Sequence, residues 1–273
     1  MPSEATSGGL EAGTAGVAPV DALLAWYGRE HRDLPWRRTS DPYAILVSEV
    51  MLQQTQVSRV VPRYEAWLQR WPAAGDLAGA RRSEVLRAWV GLGYNRRAIA
   101  LHEACKIVAA HGWPDDLTDL PGVGPYTAAA LGSFAFGRDV VALDTNVSRV
   151  LERFGAGLEP GAGGAAAFNQ AAMELGALVC RARRADCEHC PLAESCASRT
   201  PPGAPAPSGK RARPPGLRFE DTNRWVRGQV VQALAAGRTP DEQIPADRLR
   251  QAVEGLERDG IVERVGAQIR LAG

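Results

Sequence analysis

From Pro19 to about residue 198, apolar residues recur at helical spacing and almost never alternate, which restricts this stretch to an all-α fold. PVDALLAWYGREH sets Val20, Leu23, Leu24 and Tyr27 on one face. After breaks at Pro35 and at Asp41-Pro42, AILVSEVMLQQTQVSRVV opens a strongly apolar helix. Further helices are predicted over SEVLRAWVGLG, RRAIALHEACKIVAAH, YTAAALGSFAFG, NVSRVLERFG and FNQAAMELGALVC. Trp67, Trp71 and Trp89 are expected to pack, and His102 and Cys105 to be fillers rather than ligands.

Residues 1–18 have neither the basic start nor the apolar core of a secretory signal and are expected as a disordered tail. Residues 199–218, rich in Pro and Gly with five basic residues, have the composition of a linker. Beyond it, NRWVRGQVVQALAA and ADRLRQAVEGLERDG are predicted helices, and IVERVGAQIRLAG alternates like a hairpin with Gly266 near its turn. Residues 219–273 therefore read as a small winged-helix-like α+β module, although Arg248, Arg250, Glu254, Glu257 and Arg258 leave its second helix without a basic face. No apolar run reaches the ~18 residues of a membrane span, so a cytoplasmic location with no membrane partner is expected. The net charge of +1 announces no global field for nucleic acid. Lys106 and Lys210 are the only lysines, so a mechanism that needs an amine has two candidates.

Cys180, Cys187, Cys190 and Cys196 are spaced C-x6-C-x2-C-x5-C. Disulfides are not expected in a cytoplasmic chain, so four thiolates this close together suit a tetrahedral metal or an iron–sulfur cluster, and spacing alone does not separate zinc from iron–sulfur. His189, between two of them, is read as a bystander. Arg181, Arg183 and Arg184 in the first loop are plausible phosphate contacts.

Glu49 sits inside AILVSEVML, which is otherwise almost wholly apolar. A buried carboxyl is pushed toward its neutral form and suits a general acid. The competing reading puts Glu49 on an exposed stripe with Ser48, Gln53 and Gln56. Asp144 ends another apolar run, where its first reading is a helix N-cap. Two such carboxylates suit cleavage of a glycosidic bond, one protonating the leaving group and one facing the oxocarbenium ion. In LPGVGPYTAAAL, the Gly122-Val123-Gly124 turn is either an ordinary loop or a backbone grip on an anion.

LPWR (34–37), SEVMLQQTQV (48–57), GLGY (91–94), LPGVGPYTA (120–128), LDTNV (143–147), MELGALVC (173–180) and the four-cysteine loop occur in one order. Together they closely resemble the adenine DNA glycosylases of the MutY type, in the helix-hairpin-helix superfamily with endonuclease III, over residues 19 to 198. The resemblance implies a helix-hairpin-helix glycosylase fold with a [4Fe–4S] cluster on loop 180–196, held by Cys180, Cys187, Cys190 and Cys196. It further implies that Gly122, Val123 and Gly124 hold a DNA phosphate. Glu49 would protonate the departing adenine at N7, and Asp144 would stabilise the cationic sugar, with Asn146 and Tyr126 in support. Gln53 and Gln54 would fill the stack as the base is extruded, and Trp36, Arg37 and Glu174 would line the adenine pocket.

The expected activity is hydrolytic release of adenine mispaired with guanine or 8-oxoguanine in double-stranded DNA, by a monomer. Tyr126 stands where the lyase branch carries a lysine, so no strand scission is expected. The alternatives are a mismatch thymine or uracil glycosylase and, in a different class, a non-catalytic iron–sulfur DNA-binding regulator. Three departures from the resemblance stand out. Thr145 replaces a usual glycine, a helix is shortened or missing around 155–167, and the usual 8-oxoguanine-sensing domain is replaced by the winged-helix-like segment.

Overall fold

The computed structural model describes residues 17–200, 218–240, 243–266 and 268–273. Most of the expected tail and linker, with Lys210, lies outside the described residues. Eleven α-helices precede one two-stranded sheet among the described residues. Helices α1 (Pro19–Glu30), α2 (Pro42–Leu52), α3 (Val57–Arg70), α4 (Ala74–Ala78), α5 (Arg82–Trp89) and α6 (Arg96–His111) come first. They are followed by α7 (Pro125–Phe136), α8 (Thr145–Phe154) and α9 (Ala165–Leu178). Helices α10 (Asn223–Ala235) and α11 (Ala246–Arg258) lead into β1 (Val262–Val265) and β2 (Gln268–Leu271), which pair antiparallel with Val262 opposite Leu271. None of the described helices is long and apolar enough to cross a membrane.

Two hydrophobic clusters divide the molecule. The larger is built on α2 to α7, with Leu46, Met51, Trp67, Trp89, Leu101 and Leu131 buried. Val226, Val230, Leu256 and Leu271 belong to the same cluster, so the C-terminal segment shares a core with the helices it follows. The smaller joins α1 to α8 and α9 through Leu23, Trp26, Val150, Phe154 and Phe168, and Cys180, Cys190 and Cys196 pack on its edge. Trp67, Trp71 and Trp89 stack edge to face, as their spacing predicts.

The apolar stretch starting at Ala44 is two helices rather than one. Asp41 caps α2 by accepting from the amides of Tyr43 and Ala44, with Pro42 at the first helical position. The helix stops at Leu52, because Gln54 adopts φ +59° in the left-handed region. The chain turns there and re-enters α3 at Val57. The first arm of the expected hairpin is also shorter than its name implies, a single 3-10 turn at Leu117–Asp119. Around 155–164 no helix forms; Gly155, Gly157 and Gly163 all take positive φ, and α9 begins at Ala165.

Candidate active site

A cleft of about 630 Å³ lies between the two clusters. Glu49, Gln53 and Gln54 reach it from the end of α2 and its turn, and Tyr126 from the start of α7. Asp144 and Asn146 come from the start of α8, Glu174 from α9, and Trp36 and Arg37 from the segment after α1. Every expected catalytic and pocket residue thus lines one space.

Glu49 is 7 % exposed, so the exposed-stripe reading is wrong for it; Ser48 beside it is also buried. Helix α2 is buried nearly all round, leaving no solvent stripe in that part of the helix. Burial pushes the Glu49 carboxyl up to about 7, against a hydrogen bond from Tyr126 that lowers it and the field of Asp144 that adds to the rise. The Tyr126 hydroxyl is raised in turn by its own burial and by the charges of Glu49 and Asp144.

Asp144 does cap a helix. Its Oδ1 accepts from the amides of Asn146 at 2.8 Å and Val147 at 2.6 Å, and its Oδ2 from Asn146 Nδ2 at 2.8 Å. Capping and chemistry are compatible: the N-terminus of α8 fixes the carboxylate while its edge stays on the cleft. Gly176 of α9 lets the two helices approach here, since a Cβ at that position would lie 2.6 Å from Asn146 Cβ. Arg149 donates to Asn146 Oδ1, to the Gly176 carbonyl and to the Cys180 carbonyl, linking this corner to the cysteine loop.

Glu174 lines the cleft but is fully buried and spends its carboxylate on arginines. It accepts from the Arg32 amide, from Arg32 Nε and Nη2, and from Arg37 Nη2, all within 2.7–2.8 Å. Burial alone would raise its pKa, but the hydrogen bonds outweigh it and hold the group at about 2. Its effect on the pocket therefore runs through Arg32 and Arg37.

In the hairpin, Gly122 needs its glycine twice over, for φ +79° and because a Cβ would meet Ala100 Cβ at 2.8 Å. Gly124 caps α7 and Pro125 follows at the first helical position. The amides of Gly124, Tyr126 and Thr127 have no backbone acceptor among the described residues, an arrangement that suits an anion. Gly122 and Gly124 are exposed while Val123 is buried as the turn's anchor.

Arg32 and Arg97 were not anticipated from the sequence. One Arg97 guanidinium donates to the carbonyls of Val50, Met51 and Gln53 and, across a second turn, to those of Leu92 and Gly93 and to Thr55 Oγ1. Gln54 and Tyr94, each next to a clamped carbonyl, are the two non-glycine residues with positive φ among the described residues. A signal existed: Arg96 and Arg97 open α6, where the helix dipole disfavours cations.

The four thiols are not drawn into a tight ligand group among the described residues, yet all four line one cavity of about 520 Å³. A shared cavity walled by four sulfurs fits a bound cluster better than four scattered thiols would. Arg153 of α8 braces that loop through the carbonyls of Arg181 and Ala182. His189 is turned to Asp186 at 3.0 Å on the surface, as a bystander would be. Cys105 is buried in α6, away from the loop.

A family model described as HhH-GPD superfamily base excision DNA repair protein matches residues 47–164. An adenine DNA glycosylase of Mycolicibacterium smegmatis is 42 % identical, spanning 94 % of this chain and 97 % of its own. One from Homo sapiens is 44 % identical over 67 % of this chain and 40 % of its own. Among solved structures, a thermostable thymine-DNA glycosylase superposes with a TM-score of 0.59 at 29 % identity, over 66 % of this chain and 94 % of its own. A non-covalent endonuclease III–DNA complex gives 0.56 at 22 % identity over 66 % and 92 %, a likeness of fold alone.

Proposed function

From the premise that this chain belongs to the adenine DNA glycosylases of the HhH-GPD superfamily, we propose that its cleft receives adenine extruded from a mispair with guanine or 8-oxoguanine and releases it by hydrolysis. The observation that carries this reading is Glu49, a buried acid that burial pushes up to about 7, meeting Tyr126 and Asp144 in one cleft. Near neutral pH such a group holds a proton in a good fraction of molecules and can still give it away. A purine leaves more readily once its ring nitrogen is protonated, and Glu49 is the donor. Asp144, held at the start of α8, faces the positive charge that grows on the sugar as the bond breaks. Asn146 and Tyr126 keep the two carboxyls in place. Water completes the reaction at the sugar.

Tyr126 offers no amine, and Lys106 lies on α6, ion-paired with Glu103. The reaction therefore stops at the abasic site. Gln53 and Gln54 occupy the gap that the extruded base leaves, Trp36 and Arg37 border the pocket, and the free amides of Gly124, Tyr126 and Thr127 take a phosphate, the Val123 amide being spent on the Leu120 carbonyl. Cys180, Cys187, Cys190 and Cys196 would hold a [4Fe–4S] cluster, on a loop that Arg153 and Arg149 tie to α8. All these residues come from one chain, and the enzyme acts as a monomer on double-stranded DNA. Its domains are a glycosylase unit over 19–198, a linker and a winged-helix-like module over 219–273.

Duplexes carrying A:8-oxoG, A:G, T:G, U:G and an oxidised pyrimidine, scored for breakage with and without alkali, test the reading. Alkali-dependent breaks at adenine alone are expected. Release of thymine or uracil, or nicking without alkali, overturns it.

A further inference from the structure

The C-terminal hairpin leaves one strand edge open. Ala272 donates to the Ile261 carbonyl at 3.0 Å, and the register that sets Glu263 opposite Arg270 and Val265 opposite Gln268 continues from that bond. In an antiparallel ladder alternate residues turn their peptide groups to the partner strand, so those of Ile269 and Leu271 point away from β1. Neither amide meets a backbone acceptor outside the hairpin among the described residues, and no third strand pairs with β2 among them.

All four residues of β2 also border a groove of about 740 Å³, whose other walls are α5 and the segment after α10. The groove is made where the C-terminal segment packs on the helical core, and it shares no residue with the active-site cleft. Leu234 and Ile269 give it half-buried apolar surface. Arg87 and Arg238 border it from two sides, and both are exposed. Arg81 beside them is paired with Glu84, whereas neither Arg87 nor Arg238 pairs with a carboxylate among the described residues. An open strand edge recognises the alternating amides and carbonyls of another peptide backbone, which a nucleic acid does not have. Two guanidinium groups free on the same groove select carboxylates.

We propose that this groove binds an extended acidic segment of a partner protein, which adds to β2 as a third strand. Its backbone bonds the peptide groups of Ile269 and Leu271, its aliphatic side chains lie against Leu234, and its carboxylates meet Arg87 and Arg238. Segment 219–273 is then a docking element, able to hold a partner while the cleft is engaged elsewhere.

The test is selection of a phage-displayed library of random 12-residue peptides on the full chain. Enriched peptides are then synthesised and titrated by fluorescence anisotropy. The expected sequences alternate aliphatic residues with Asp or Glu. Arg87→Glu and Arg238→Glu should each weaken their binding by about tenfold or more, the effect of setting like charges across an interface. N-methylating alternate residues of the peptide should abolish binding in one phase of the alternation and spare it in the other, a pattern that charge attraction alone would not give. Enrichment of no acidic sequence overturns the proposal, as does equal binding by the charge-reversed chains or by both N-methylated series. Duplex DNA affinity is measured on the same variants, and a loss there with peptide binding unchanged assigns the groove to nucleic acid instead. Adenine release by the variants, expected unchanged, shows that they fold, and the N-methylated series on the unaltered chain decides the question if they do not.

Discussion

The Tyr126 hydroxyl and the Glu49 carboxyl, from helices far apart in the chain, meet inside the cleft, where each shifts the other's pKa and the charge of Asp144 acts on both. Because the working form of Glu49 is the protonated one, the rate of adenine release should fall as pH rises through about 7. Single-turnover rates from pH 6 to 8.5 check this. Glu49→Gln should lower the rate by about 10²- to 10⁴-fold, the span of general-acid catalysis, and abolish the alkaline limb.

Tyr126→Phe removes the hydrogen bond that holds the Glu49 pKa down, while the burial that raises it remains. The alkaline limb should therefore move to higher pH. The same pH series on this variant measures the shift, and a limb that moves down contradicts the assigned contact.

Asp144→Asn leaves a carbonyl able to cap α8 but sets its amide nitrogen against the Asn146 amide now donating at 2.8 Å. Stability should fall by about 1 kcal/mol, the usual scale of a cap. Adenine release should fall much further, by about 10²-fold or more, because the charge facing the sugar is gone. Thermal unfolding and single-turnover kinetics on one preparation separate the two losses.

Glu174 has a depressed pKa, about 2 against an ordinary 4.5. Its stabilising effect is fully present above pH 4.5 and is lost as pH falls through about 2. Glu174→Gln should cost about 2 kcal/mol in urea unfolding at pH 7, less than the 3–5 kcal/mol of a wholly buried pair, because Arg32 is 38 % exposed. Below about pH 2 the variant and the parent should converge.

Cys190→Ser removes one of the four sulfurs around the 520 Å³ cavity. Protein purified without oxygen should contain iron and acid-labile sulfide in equal amounts, and the variant should lose most of both. The measurement is elemental analysis together with visible absorbance, and zinc in place of iron would redirect the assignment.

Much of the fold was legible because helical periodicity is strong from α1 to α9, and the cleft residues were legible through motifs whose order matched a family. What motifs could not convey was burial: Glu49 sits in an apolar run, but only the packing of α2 on α7 and its other neighbours decides that the run has no solvent stripe. The break at Gln54 carries no glycine or proline, so nothing local announces it. Its cause is Arg97, more than forty residues away, and the arginine-rich composition made any one arginine look like another. Arg32 was hidden in the same way, since its partner Glu174 lies 142 residues along the chain.

The Arg97 clamp has a consequence for how this chain can vary. Gln54 and Tyr94 sit on separate turns, but a single cation secures both, so neither backbone can relax without altering the support of the other. Substitutions at the two positions should be epistatic, and a lineage that changes one would be expected to change the other, or the arginine, in the same interval.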